Sequence, residues 1–565
     1  MTKSIHDALQ AKLNRIYGDD IGQATYEKMS SLLQPLQSGT VEKLAVSEKD
    51  VILICYGDHV HDEDHPPLHV LHHFLKKYVH PQVNTIHILP FYPWSSDDGF
   101  SVIDYYQVDT ALGNWQHITA MKDDFRLMFD AVFNHMSAQS SWFQKYLIGQ
   151  APYDKYFIDI APETDLTAVV RPRALPLLTP FETHEGIKHI WTTFSPDQID
   201  LNVENPDVLL EFLKIIRFYI ENGAEFIRLD AIAFLWKKIG TSSIHLDETH
   251  LIIQVMRDVL NLIAPDVLII TETNVPHDEN INYFGNGINE AQMVYQFPLP
   301  PLILHTMAAG DSTHLTNWAK SLDPIGERTT FFNFTASHDG IGLRPVTGIL
   351  TQVEIDRLVQ RTQTHGGNVS YKANGDGSQS PYEMNITYFD AITDPNITAS
   401  HPQSAIKRFV VAQAIQLSLA GVPGIYFSSL FGGRNWNEGV AESGRFRTIN
   451  REKFKLDSLT ADLTGDTLRG KVFKHMIALL EKRRSTPAFH PLASQTVVNR
   501  GSEVFAVLRQ SQDEEHTVLA LHNVTANTVT VDLEDGHWQD LLTSETHTGS
   551  IALQPYQVAW LNRVS

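Results

Sequence analysis

Eight short apolar runs, each ending in polar residues and followed by a helical stretch, set the strongest constraint on how this chain folds. They read VILICYGD (51–58), TIHILPFYP (85–93), LMFDAVFNH (127–135), EFIRLDAIAF (225–234), VLIITET (267–273), MVYQFPLP (293–300), TTFFNFTASHD (329–339) and GVPGIYFSS (421–429). Runs this short and this apolar read as strands buried on both faces, and their alternation with helices predicts a parallel sheet. Eight of them predict an α/β fold, a (β/α)₈ TIM barrel, with its chemistry at the C-terminal ends of the strands.

Around that barrel, residues 49–486, the pattern changes at both ends. Residues 1–48 read as a helical extension, with Leu9, Leu13, Ile16 and Tyr17, then Met29, Leu32, Leu33 and Leu36, at helical spacing. After Pro487 short alternating strands such as VFAVLR (504–509) and HTVLALHNV (516–524) predict a C-terminal antiparallel β domain over 487–565. Two gaps between strands are too long for simple helices. Insertions are expected at about 136–210, which carries RPRALPLLTPFETHEG, and at about 341–404, which carries THGGNVSYKANGDGSQSPYEMN. Long irregular excursions in compact proteins are usually lids or binding loops.

The ends of the runs hold polar residues that a doubly buried strand has no structural use for. Asp130, Asn134 and His135 end the third, Arg228 and Asp230 the fourth, Glu272 the fifth, and His338 with Asp339 the seventh. A single buried carboxylate can be a structural ion pair, but this many convergent groups at one end of a barrel read as an active site. Retaining glycoside transfer uses two carboxylates about 5 Å apart, one as nucleophile and one as proton donor. Arg228, two residues from Asp230, points to the same side of its strand and can keep that carboxylate ionised. Glu272 has to be protonated before the first step, so its surroundings should raise its pKa.

Acidic residues outnumber basic ones 66 to 44, a formal net charge of −22 that repels nucleic acid and anionic lipid. The single Cys55 excludes an intramolecular disulfide and a cysteine zinc site, and fits a reducing compartment. The N-terminus lacks the apolar core of a signal peptide, and no stretch has the unbroken apolar length of a membrane span. The expectation is a cytoplasmic protein with neither nucleic acid nor membrane as partner; monomer and homodimer both stay open.

DAVFNH, FIRLDAIAF, IITET and NFTASHDG resemble, in order and spacing, the four signature regions of the α-amylase superfamily. The resemblance implies Asp230 as nucleophile, Glu272 as acid/base and Asp339 as transition-state stabiliser, with His135, Arg228 and His338 as sugar-binding partners. It needs no organic cofactor and no catalytic metal. HILPFYPWSSDDGFSVIDY and RFRTINR are similar to segments of the sucrose phosphorylase subfamily, which places Asp97, Phe100 and Arg447 around the glucose. Within that subfamily, RPRALPLLTPF, ITETNVPHDENINYFG and the helical extension look most like the glucosylglycerate phosphorylases.

Departures from sucrose phosphorylase lie on the acceptor side. Phe234 stands where that enzyme has Tyr, Asn274 where it has His, and Glu383 where it has Gln, whereas Tyr382 is retained. The resemblance therefore implies reversible phosphorolysis of 2-O-α-D-glucosyl-D-glycerate to α-D-glucose 1-phosphate and D-glycerate. The alternatives are phosphorolysis of sucrose or sucrose 6′-phosphate, and a non-catalytic sugar-binding barrel. Cellular water exceeds phosphate by roughly ten-thousandfold, so phosphate needs about 5–6 kcal/mol of preferential transition-state binding. Arginines on mobile loops can supply it through charge-assisted hydrogen bonds. Arg173 matches the subfamily's phosphate-contacting Arg; Arg171, Arg344 and Arg434 are weaker candidates for the same role and read first as solvated surface residues.

Several features read as decoys. The six histidines of HVHDEDHPPLHVLHH (59–73) match no standard zinc spacing and read as a solvated, acid-paired surface. Trp94, Trp142, Trp191 and Trp236 fit sugar platforms or core packing equally well.

Overall fold

The computed structural model describes residues 2–36, 44–173, 175–322, 326–373 and 378–564. Its centre is a closed barrel of eight strands: β1 (Ile52–Cys55), β2 (Thr85–Ile88), β3 (Arg126–Ala131), β4 (Ala224–Leu229), β5 (Leu268–Thr271), β6 (Met293–Tyr295), β7 (Thr330–Phe334) and β8 (Val422–Tyr426). Every strand pairs in parallel with its sequence neighbours, and β8 closes onto β1. All eight runs in the sequence become these strands, because residues apolar on both faces are stable only between a filled barrel interior and an outer layer of helices. Interior packing is close enough to dictate residue type. A Cβ on Gly424 of β8 would sit 2.3 Å from the Phe332 ring of β7.

The bottom of the barrel is tied by one buried cation. Arg483, at the end of the helix Leu468–Arg484, is fully buried and donates to five backbone carbonyls, those of Glu48, Asp50, Leu417, Gly421 and Phe489. It thereby joins the residues before β1, the turn before β8 and the start of the C-terminal strands. Burial pulls its proton affinity down to about 10, still far above neutrality, so the cation persists.

The N-terminal helices Thr2–Tyr17 and Asp19–Met29 bury Leu9, Leu13 and Met29 in the main core. Lys12 pairs with Asp258 on the helix Asp247–Ile263, and the Leu36 amide donates to the Ile263 carbonyl at 2.8 Å. The C-terminal sheet shows the period of two expected of half-buried strands. Phe505 and Val507 join the main core, whereas the alternating Val504 and Ala506 face a second core with Trp538 and Ile551.

Both long gaps hold structure of their own. After β3, His135–Ser137 pairs antiparallel with Gln198–Asp200, and Leu178–Thr183 with Gly186–Trp191. After β7, Ile341–Gly342, Gln379–Asn385 and Asn368–Ala373 form a three-stranded sheet beside the helix Gln352–Thr364. Among the described residues no helix is long and apolar enough to cross a membrane.

The histidine-rich segment divides in two. His65 stacks on His69 and His69 meets His73 edge-on along the helix Pro67–Tyr78 and its approach, with His65 paired to Asp62, on a largely solvated surface. His59 departs from that reading. It is buried, stacks on Phe427 with ring centroids 4.8 Å apart, and accepts the Tyr56 amide at 3.0 Å, because the chain turns inward immediately after β1.

If Arg483 clamps the barrel, Arg483→Met leaves several buried carbonyls without a donor and should cost about 2–4 kcal/mol. Thermal unfolding followed by circular dichroism should show a lowered melting temperature, with no change in the geometry at the other end of the barrel.

Candidate active site

The open C-terminal end of the barrel holds a cavity of about 380 Å³. Its floor comes from the strand ends, and its walls from the two inserted regions. Asp230, Glu272 and Asp339 all line it, together with Asp97, Phe100, His135, His338 and Arg447. Arg173, Phe234, Asn274 and Glu383, expected on the acceptor side, line it too, as does Tyr382, expected to bind substrate. Thus the structure brings together every expected site residue but one.

The exception is Arg228, which is expected to touch sugar but does not line the cavity. It lies beneath the floor, 1% exposed, where its Nη1 donates to Asp230 at 2.7 Å and also binds Asp130. Its Nε donates to the Tyr295 hydroxyl at 3.1 Å. The reason is register: Arg228 lies directly across from Asp130 in the β3–β4 pairing, inside the barrel and one layer below Asp230. Asp130 in turn accepts from His87 at 2.7 Å. Burial opposes the Asp130 charge, but Arg228 and then His87 outweigh it and hold the carboxyl below its usual range.

Asp230 and Glu272 share one electrostatic environment. The chain turns sharply after Asp230, with Ala231 in the left-handed region at φ 48°, and the Ala231 amide donates to Glu272 at 3.1 Å. Burial raises the pKa of both carboxyls, Asp230 to about 8 in spite of Arg228, with the Glu272 and Asp130 charges adding to it. The two therefore titrate as a pair whose last proton leaves above the ordinary carboxylate range. Hydrogen bonding decides where that proton resides. Asp230 is held by a charge-assisted bond from Arg228, whereas the bond to Glu272 comes from a neutral amide, so the proton belongs on Glu272.

Asp339 is set oppositely. Burial opposes its ionisation, but Arg447 at 2.6 Å, then His338 and Arg451, hold its carboxyl well below the usual range. His135 and His338 are neutral, pushed by burial to about 4 and about 3 respectively. His338 stacks on Phe100 with ring centroids 4.6 Å apart, and His135 lies 2.9 Å from the Phe100 carbonyl.

At the walls, Arg447 makes a bidentate pair with Glu383, through Nε at 2.9 Å and Nη2 at 2.6 Å. Arg173 reaches across the cavity to Asp97 at 3.2 Å. Arg171 and Arg344 also line the cavity, as does Lys372 from the second insertion, so four cationic side chains from the insertions face it. Arg434 does not; it is paired with Asp390 and covers the Phe389 ring. None of Trp94, Trp142, Trp191 and Trp236 lines the cavity, and Trp191 and Trp236 are buried in the protein.

Sequence reasoning misses five supporting residues. His87 carries a readable signal, a polar residue within the apolar run TIHILP at an inward position. Arg451 is the last residue of the RFRTINR segment; its Nε donates to the His338 carbonyl at 2.9 Å and it binds Asp98. Tyr295 and Gln198 give no sequence signal, since they reach Arg228 at 3.1 Å and His135 at 3.1 Å from distant parts of the chain, and Lys372 gives none because its place at the cavity follows from the fold of the second insertion.

A parallel eight-stranded barrel with acids at the ends of β4, β5 and β7 defines the α-amylase class of (β/α)₈ proteins. A family model described as the alpha amylase catalytic domain matches residues 75–340, and one described as the D-apionate lactonase C-terminal immunoglobulin-like domain matches residues 503–561. The chain is 48% identical over 516 residues to a glucosylglycerate phosphorylase of Allomeiothermus silvanus, covering 91% of each chain. It is 44% identical over 554 residues to that of Escherichia coli (strain K12), covering 97% of this chain and 98% of the other. A sucrose phosphorylase of Agrobacterium vitis is 30% identical over 81% of this chain and 92% of its own. The crystal structure of sucrose 6F-phosphate phosphorylase from Thermoanaerobacter thermosaccharolyticum superposes with a TM-score of 0.74 at 22% identity, over 89% of this chain and 98% of that one. The chain belongs to the glucosylglycerate phosphorylase family.

Because burial raises both carboxyls, the shared proton should stay bound until the pH has risen above the ordinary carboxylate range. A difference proton titration of wild type against Glu272→Gln should show one proton released there by the wild type alone. Release centred near pH 4 in the wild type would contradict the paired arrangement.

Proposed function

We propose that this protein is a retaining glycoside phosphorylase that interconverts 2-O-α-D-glucosyl-D-glycerate plus phosphate with α-D-glucose 1-phosphate plus D-glycerate. The single observation that carries the reading is one cavity combining strand-end carboxylates with cationic side chains from both insertions. The carboxylates suit glycosyl transfer, and the cations suit anionic acceptors, which phosphate and glycerate both are. Similarity supports the same substrate: the relatives named glucosylglycerate phosphorylase are 42–48% identical, against 26–30% for those named sucrose phosphorylase.

In the first step the Asp230 carboxylate attacks the anomeric carbon while Glu272 gives its proton to the departing glycerate oxygen. That leaves glucose esterified to Asp230, with Glu272 as carboxylate. Asp339, held ionised by Arg447, stabilises the positive charge that develops on the sugar ring. Arg228 acts through Asp230 from beneath, keeping the nucleophile charged and oriented. In the second step phosphate enters the vacated space, Glu272 takes its proton, and a phosphate oxygen attacks the anomeric carbon, breaking the ester and releasing Asp230 as carboxylate. Two inversions give net retention. Asp97, Phe100, His135, His338, Arg447 and Tyr382 are assigned to the sugar, and Arg173, Phe234, Asn274 and Glu383 to the acceptor side.

The charge of −22 does not prevent this. Its field is screened beyond about 10 Å at moderate salt, so the nearby cations govern binding inside the cavity.

With phosphate and glucosylglycerate, the purified protein should release α-glucose 1-phosphate, read by coupled assay and by the anomeric proton resonance. Free glucose without the phosphate ester would overturn the reading. In the reverse direction glycerate should outcompete fructose and fructose 6-phosphate as acceptor. Arg173→Ala should lower phosphorolysis by about a hundredfold, the loss of one strong charge-assisted contact, while slow hydrolysis persists. An equal loss of both activities would remove Arg173 from phosphate binding.

A further inference from the structure

Outside the barrel mouth, three side chains from separate helices converge on one point. His305 lies on the helix Leu299–Ala309, His314 on Thr313–Ser321, and Glu354 in the first turn of Gln352–Thr364. The Glu354 Oε1 is 2.9 Å from His314 Nε2 and 3.4 Å from His305 Nε2, and the three ligand atoms all lie within 4.8 Å of one another. A zinc-class ion bonded at about 2.1 Å to each ligand of a tetrahedral site holds their atoms about 3.4 Å apart. The observed spacing already brackets that value.

Supporting contacts favour a built site. The second oxygen of Glu354 accepts the amide and hydroxyl of Thr351, each at 2.8 Å, which fixes the carboxylate and leaves Oε1 facing the histidines. Such outer hydrogen bonds orient metal-binding carboxylates. The His305 Nδ1 is buried without a hydrogen-bond partner among the described residues, so it can carry the ring proton and leave a lone pair on Nε2 for an ion. His314 is 32% exposed and Glu354 20%, which leaves the point open to solvent on one side. Water can fill the fourth position.

We propose that His305, His314 and Glu354 form a structural site for a divalent transition metal of the zinc class. The ion would join a helix of the barrel to the helix that leads into the strands Asn368–Ala373 and Gln379–Asn385. The second of those strands carries Tyr382 and Glu383, so the ion would brace one wall of the cavity from outside and take no part in chemistry. Imidazole with carboxylate and no thiolate suits zinc, cobalt or nickel over the alkaline-earth ions.

The test uses the full chain, stripped with chelator, and titrated with Co²⁺ while visible absorption is followed. One equivalent should bind saturably, be displaced by Zn²⁺, and raise the melting temperature. His314→Ala and Glu354→Gln should each weaken binding at least tenfold and lose the thermal shift, while the metal-free variants keep the wild-type circular dichroism spectrum and turnover. Because the half-buried His69 and the exposed His73 could capture metal, the double variant His69→Ala/His73→Ala is the control, and it should bind as the wild type does. No saturable binding, binding undiminished in His314→Ala and Glu354→Gln, or binding lost in the double variant would each overturn the site and identify the cluster as a hydrogen-bonded one.

Discussion

The arrangement of the site depends on one buried cation, Arg228. It sits inside the barrel between Asp130 on β3 and Asp230 at the end of β4, so it must neutralise two carboxylates at once. Without it, two acids would be buried with only His87 and neutral donors near them, a cost of several kcal/mol per charge. With it, Asp130 is satisfied and Asp230 keeps its charge close to a neighbour, Glu272, that does not. The difference in protonation that the proposed chemistry requires thus comes from which carboxyl the guanidinium can reach. Tyr295 and His87 complete the support, one on each side.

A second ion-pair chain runs along the opposite wall. Arg447 holds Asp339 with one nitrogen and Glu383 with two others, and Arg451 anchors the backbone of His338. Glu383 lines the cavity, and its charge is committed to the same arginine that fixes Asp339. Replacing Gln by Glu at this position adds a partner for Arg447 and removes a free donor from the acceptor space. That change suits an acceptor bound by cations more than one bound through many neutral hydroxyls.

Much of the fold was legible in the sequence. All eight strands announce themselves as short apolar runs, since burial on both faces leaves no room for polar residues except at the ends. For the same reason the carboxylates, His135 and His338 stand out: they interrupt the pattern where the strands leave the core. Arg228 was legible as a neighbour of Asp230 but not as a buried one, because its depth follows from the β3–β4 register and not from spacing along β4. Gln198 and Tyr295 were illegible, as each gains its partner across 60 residues or more of chain. The burial of His59 was hidden by its histidine-rich surroundings, and the His305–His314–Glu354 convergence by the distance between its members.

The central claim is that Asp230, ionised by Arg228, carries glucose covalently between the two half-reactions. The most direct measurement is to treat the Glu272→Gln protein with α-glucosyl fluoride, a donor whose leaving group needs no proton, quench in acid and map the peptides by mass spectrometry. The account predicts one glucosyl group on the peptide containing Asp230, discharged to α-glucose 1-phosphate when phosphate is added before the quench. A glucosyl group on any other residue, or turnover without a covalent adduct, would contradict it.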